Sequence, residues 1–308
     1  MRLVSYASDG AWRAGVVIGE SVVDAEEAGK RSSLPGRWSA VREVIAQPAD
    51  QIDALGDAAD RLVDDLGVPL DGLELGPPIP DPQKILCIGL NYREHQEETS
   101  GVVAGAQEVP RYPIVFTKFP GSLIGTGAKI EPPKATNELD FEAELAVVIG
   151  KETREVGLAD ALDSVAGYAA FNDVSARDLQ LRSSQWTVGK AFDTAGPFGP
   201  WLVTPDEIAD PQDLEIVGRL NGQVVQQSST ALMIFSIAQL IEYLSQVMTL
   251  VPGDVIATGT PSGVGMSREP ALYMNPGDVF EVEIEGIGSL VNPIAPPRSD
   301  FRSILEDS

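Results

Sequence analysis

The 308-residue chain is poor in several things, and each shortage narrows its function. It has one cysteine, Cys87, and one histidine, His95. A lone cysteine excludes an internal disulfide and fits a reducing compartment. Any imidazole chemistry rests on the one histidine. Basic residues are scarce, 22 Lys and Arg against 46 Asp and Glu, for a net charge of −24. No basic patch is visible, which excludes nucleic acid as a partner. The acidity favours solubility and repels anions, so a carboxylate substrate would need a local metal or lysine. No apolar run reaches the roughly 18 residues that span a bilayer. No basic stretch followed by an apolar run marks a signal peptide near residue 1. The expected location is the cytoplasm.

What is present is a chain with enough apolar content, 43%, for one large domain, or one large and one small. Its 30 glycines and 23 prolines suit a turn-rich, strand-rich protein. Residues 1–78 read as a small α+β domain. Strands are expected over 1–7 and 12–18 around the turn Ser8-Asp-Gly10, and helices over 39–47, 49–55 and 58–66, with Pro48 breaking the run. The proline-rich joint at 76–82 marks the boundary. Residues 79–308 then show short apolar runs at 85–90, 114–118, 145–149, 165–172, 255–258 and 279–284. This β-rich pattern is not a regular βαβ alternation. Cys87 sits in the first run and reads as a buried strand thiol. One helix is clear. Ser236 and Gln239 form a capping box, Phe235 and Leu240 are placed for a hydrophobic staple, and Ile237, Ile241, Leu244 and Met248 make a core stripe that Pro252-Gly253 should end.

The most informative stretch is 137–150. On one strand, Asp140, Glu142 and Glu144 would share a face, while Phe141, Ala143, Leu145, Val147 and Ile149 face a core. Acidic residues are poor strand formers, and three like charges repel. A divalent cation held by oxygen ligands would relieve this; a solvated acidic face is the other reading. Asp173, after the apolar run 165–172, could complete the carboxylate set, or simply mark a turn. His95 and Glu98 fall three residues apart, which on a helix puts them on one face; a carboxylate beside an imidazole orients a general base. An exposed histidine on a polar turn is the bland alternative. The following segment, 99–107, is rich in small residues and suits a lid. Lys190, between Gly189 and Ala191, could offset carboxylate charge or hold an anionic substrate, or pair with Asp193. The strand-to-loop passage 253–265 is glycine-rich, and its N–H groups could hold an oxyanion.

Together these segments resemble the fumarylacetoacetate hydrolase family. The similarity covers about residues 82–295. It rests on ordered motifs: GLNYxxH at 89–95, the segment 113–127 with Lys118 and Ser122, DFEAELAVVIG at 140–150, FNDVSARDLQ at 171–180, GKAFDT at 189–194 and MTLVPGDVIATGTPSGVG at 248–265. The resemblance implies a mixed β-roll catalytic domain within a mixed α/β, β-rich chain, usually dimeric. It implies Glu142, Glu144 and Asp173 as ligands of Mg²⁺ or Mn²⁺, with Asp140 outside the direct ligand set. His95 and Glu98 become the lid dyad that activates water, and Lys190 the lysine near metal and substrate. Gln180, Thr260, Lys118 and Ser122 become substrate-contacting positions. Two departures from the family pattern, Ala195 after Thr194 and Gly121 before Ser122, bear on pocket shape. The expected activity is hydrolytic cleavage of a C–C bond in a 2,4-dioxo acid such as an acylpyruvate, releasing pyruvate. Decarboxylation of oxaloacetate or isomerisation of a 2-hydroxydienoate is the alternative. A metal-stabilised binding module is the non-enzymatic one.

Overall fold

The computed structural model describes residues 1–103 and 106–297. In chain order the elements are β1 (Arg2–Ser8), β2 (Ala11–Ile18), β3 (Ser21–Asp24), α1 (Ala25–Arg31), α2 (Val41–Ile45), α3 (Ala49–Leu66) and β4 (Val68–Pro69). After the joint come β5 (Ile85–Gly89), α4 (Arg93–Thr99), β6 (Ile114–Lys118), β7 (Leu123–Ile124), β8 (Leu139–Asp140), β9 (Ala143–Ile149), β10 (Val165–Asn172) and β11 (Ser175–Ala176). Next are α5 (Arg177–Gln180), α6 (Thr187–Lys190), β12 (Gly196–Val203), β13 (Glu215–Leu220), β14 (Gln223–Ser229), α7 (Ile237–Ser245), β15 (Val255–Ala257), β16 (Val279–Ile284) and β17 (Gly288–Pro293).

The chain is mixed α/β and strand-rich, with open sheets. The large sheet runs β4-β3-β2-β1-β12-β10-β9-β15-β5-β6, with β7 added beside β12. Two of its pairings, β15 with β5 and β12 with β7, are parallel. A second sheet runs β14-β13-β16-β17, and β8 pairs with β11 alone. Strand β9 lies between two cores and all seven of its residues are buried. Leu145, Val147 and Ile149 enter the core shared with the second sheet and α7. Ala146 and Val148 enter the core shared with the N-terminal helices. That double burial explains the unbroken apolar run.

Three local expectations change. Residues 49–66 form one helix, with Pro48 at its N-cap, where a missing N–H costs nothing. The helix begun at Ser236 has the expected capping box but ends at Ser245, so Met248 lies beyond it. The strand expected across 140–149 breaks at Phe141 and Glu142, leaving Asp140 on β8 and Glu144 on β9. Cys87 is buried on β5 as expected, and burial pushes its thiol well up.

Candidate functional site

The site forms where β9 begins and β10 ends. Their antiparallel register sets Ala143 opposite Asn172 and Glu144 opposite Phe171. The Glu142 carbonyl accepts the Asp173 N–H at 3.0 Å, and Asn172 Oδ1 accepts the Glu142 N–H at 3.0 Å. Stacking of Phe141 on Phe280, with ring centroids 4.7 Å apart, anchors the chain just before Glu142. As a result Glu142, Glu144 and Asp173, all buried, present carboxylate oxygens within 4.8 Å of one another. This hard-oxygen donor set suits a divalent metal.

Cations thread the cluster. Lys190 Nζ lies 2.6 Å from Glu142 Oε2 and 2.9 Å from Asp173 Oδ2. Arg177 Nη2 lies 2.7 Å from Glu142 Oε1, while its Nε donates to Asp140 Oδ2 at 2.8 Å. Lys118 Nζ lies 2.7 Å from Asp173 Oδ1 and donates to the carbonyls of Val174, Lys190 and Ala195. Lys190 therefore pairs with the cluster acids in place of the sequence alternative, Asp193. Four carboxylates face three cations, leaving one negative charge if all are ionised.

The two glutamates titrate in opposite directions. Burial alone would push Glu142 up, but Lys190, Arg177 and His95 more than offset it and hold the carboxyl far below its usual range. Burial also pushes Glu144 up, and the Asp173 and Glu142 charges push it further, well above the usual range. Burial would lower the Lys190 ammonium, yet Asp173 and Glu142 keep it above its ordinary value. An excess of negative charge that protonates its own member is what a bound cation would relieve.

His95 and Glu98 lie on α4, with His95 Nδ1 and Glu98 Oε1 2.8 Å apart. His95 lines a cavity of about 20 Å³ together with Glu142, Glu144, Arg177, Gln180, Lys190 and Thr260. Its other wall is apolar: Leu90, Val103, Phe116 and Trp186. The glycine-rich loop after β15 closes the arrangement. Gly259, at φ +101°, donates its N–H to Glu144 Oε2 at 3.0 Å, where a Cβ would meet Asn91.

Two expected substrate positions sit elsewhere. Lys118 is wholly committed beneath Asp173, and Ser122 Oγ bonds the main chain of Phe119 in its own turn; neither lines the cavity. Thr260 does line it, but its hydroxyl donates to the Ala143 carbonyl and accepts from Gln226. Gln180 lines it and accepts from Arg177 Nη1 at 3.0 Å. Asp140 stands behind the cluster, accepting from Arg177 and from the N–H groups of Gly265 and Met266. The expected lid segment 99–107 includes 104–105, which lie outside the described residues. Sequence reasoning passed over Arg177. Its signal was available, a basic residue inside an acidic motif of an acidic chain. Gln226, which ties Ala143 to Thr260 and Pro261, had none.

Residues 84–295 match the model of the fumarylacetoacetate (FAA) hydrolase C-terminal family. The fumarylacetoacetate hydrolase domain-containing protein 2 homolog of Dictyostelium discoideum is 40% identical, over 96% of this chain and 97% of its own length. The mitochondrial oxaloacetate tautomerase Fahd2a of Rattus norvegicus is 45% identical, over 70% of this chain and 68% of its own. The solved fumarylacetoacetate hydrolase of Exiguobacterium antarcticum superposes with a TM-score of 0.80 at 36% identity, over 97% of this chain and all of the other. One relative is a tautomerase and another a hydrolase, so the hydrolytic reaction expected from the motifs is one of several on this scaffold. No helix among the described residues is long and apolar enough to cross a membrane. On a match of this extent, the chain belongs to the fumarylacetoacetate hydrolase family of enzymes.

Proposed function

We propose that the chain moves a proton between the 2-oxygen and C3 of a short 2-oxo acid, interconverting enol and keto forms, with oxaloacetate as the leading substrate. The observation that carries this is His95, backed by Glu98, lining one small cavity with Glu142, Glu144 and Lys190. With Glu98 accepting the Nδ1 proton, His95 offers a basic Nε2. In ketonisation the enol oxygen loses a proton and C3 gains one. His95 takes the first, and Glu98 stabilises the imidazolium until a proton is returned to carbon. Lys190, Arg177 and Gln180 supply donors for the oxyanion and the substrate carboxylates. A divalent cation, Mg²⁺ or Mn²⁺, held by Glu142, Glu144 and Asp173, would supply Lewis acidity toward the carboxylate and 2-oxygen when bound. The relationship to oxaloacetate tautomerases supports the substrate class. A cavity of about 20 Å³ is far below the roughly 300 Å³ of ordinary ligand pockets. The site therefore opens at α4, which carries His95, to admit substrate.

The apolar wall of Leu90, Val103, Phe116 and Trp186 supports a second reading, C–C hydrolysis of an acylpyruvate. There His95 would take a proton from water and the acyl chain would lie against that wall.

The two separate in one assay series on metal-loaded protein. Enol absorbance of oxaloacetate reports tautomerisation, and a coupled reductase reports pyruvate from oxaloacetate and from acylpyruvates. Fast enol loss with little pyruvate is expected, with His95→Ala lowering the rate by about 10²–10⁴-fold. Acylpyruvate cleavage without enol–keto catalysis overturns the first reading in favour of the second.

A further inference from the structure

Glu98 divides its oxygens between two partners. Oε1 meets His95 Nδ1, and Oε2 accepts the Gly263 N–H at 2.9 Å. The glycine is required there. Its φ is +102°, and a Cβ would lie 2.3 Å from the Val225 carbonyl oxygen. The guanidinium of Arg268 spans the same spot. Its Nε donates to the Gly263 carbonyl at 3.0 Å, and its Nη2 donates to the Val225 carbonyl. Among the described residues no salt bridge joins Arg268 to a carboxylate, and the hydrogen bonds of its guanidinium go to these two carbonyls. Nor does Arg268 line the cavity. Among the described residues, the loop's other bond to α4 runs from Ser262 Oγ to Glu94 Oε2, 3.2 Å and exposed.

We propose that Arg268 is a positioning residue for the His95–Glu98 pair, acting through the main chain at Gly263; the proposal rests on the dyad reading above. By holding the carbonyl of Gly263 itself and the Val225 carbonyl that crowds it, Arg268 fixes the loop so that the Gly263 N–H points at Glu98. Glu98 in turn fixes the imidazole. Displacement of a catalytic group by about 1 Å can cost on the order of 10²-fold in rate, so a side chain outside the cavity can govern turnover.

A double-mutant cycle tests this in full-length protein with Mn²⁺ and oxaloacetate, comparing wild type, R268A, R268K, E98Q and R268A/E98Q. R268A is expected to lower kcat about tenfold or more and leave KM within about twofold. R268K, which keeps one donor, recovers part of the loss. In the E98Q background, R268A costs nothing further, because the group it positions is already disabled. Hydrogen exchange on metal-free protein gives a readout independent of turnover: amides over 259–265 and 93–99 exchange faster in R268A and in E98Q. An equal loss of kcat in both backgrounds, or unchanged exchange in R268A, overturns the proposal. If E98Q leaves kcat intact, the dyad reading fails instead, and exchange alone decides whether Arg268 holds Gly263.

Discussion

Glu142 and Glu144 are two residues apart, equally buried, and titrate in opposite directions for reasons visible in their partners. Glu142 has Lys190 and Arg177 within 2.7 Å. Glu144 has the Gly259 N–H and faces Asp173 and Glu142. In the metal-free fold Glu144 keeps its proton where the unfolded chain has lost it. The folded state then binds more protons, and stability falls as pH rises above the ordinary carboxylate range. Glu142 contributes with the opposite sign: its stabilisation is present above the unfolded pKa and lost as pH falls. Glu144→Gln removes the first effect alone. Melting temperatures of chelator-treated protein between about pH 5 and 8 should decline in wild type and stay flatter in the variant, while titration with Mg²⁺ or Mn²⁺ should show weakened binding. Parallel melting profiles would count against a protonated Glu144. The cluster was partly legible in the sequence, Glu142 and Glu144 from their i, i+2 spacing and Asp173 as one of two readings. Its charge balance was not. Arg177 and Lys118 reach the cluster only through α5 and β6, and Asp140 leaves the shared face because the strand breaks after it.

At the scale of elements, local chemistry predicted starts better than ends. The capping box of α7 forms as read, with Ser236 Oγ accepting the Gln239 N–H and Gln239 Oε1 accepting the Ser236 N–H. Ser236→Ala should cost about 1 kcal/mol and shift the urea midpoint, leaving kcat unchanged, since neither Ser236 nor Gln239 lines the cavity. An unmoved midpoint would mean that packing of Leu240, Ile241 and Leu244 fixes this helix without its cap. The end of α7 is set by distant chain. The Ser245 carbonyl accepts the Glu155 N–H, its hydroxyl accepts the Val156 N–H, and Leu250 exchanges main-chain bonds with Thr153. A segment ninety residues upstream captures the last turn before Pro252 can act, and no local signal announces that. Likewise α3 runs through Gly56 and Asp57 because Leu55, Ala58 and Ala59 are buried, which overrides weak helix propensity.

For the whole molecule, the question is whether the proline-rich joint separates two folding units, as a boundary at 78/79 would have it. Strand β1 pairs with β12 through Arg2↔Val203 and Leu3↔Leu202, which makes the N-terminal strands one flank of the large sheet. One apolar core also mixes Leu3, Val16, Trp38, Val41 and Leu55 with Ile85, Cys87, Val148, Phe198, Leu202 and Val255. Removing residues 1–78 would bare Val148, Phe198 and Leu202 and leave one side of β12 without its partner strand, both routes to aggregation. The same β9 that carries Glu144 on one side of the strand would lose the packing of Ala146 and Val148. The intact protein is therefore expected to unfold in a single calorimetric transition, with the van't Hoff and calorimetric enthalpies in agreement. A 79–308 chain is expected to be insoluble, or to bind a hydrophobic dye and hold no metal. Two resolved transitions, or a 79–308 chain with a native near-ultraviolet spectrum and wild-type Mn²⁺ affinity, would show instead that the joint is a true boundary and that the catalytic centre needs nothing from the N-terminal residues.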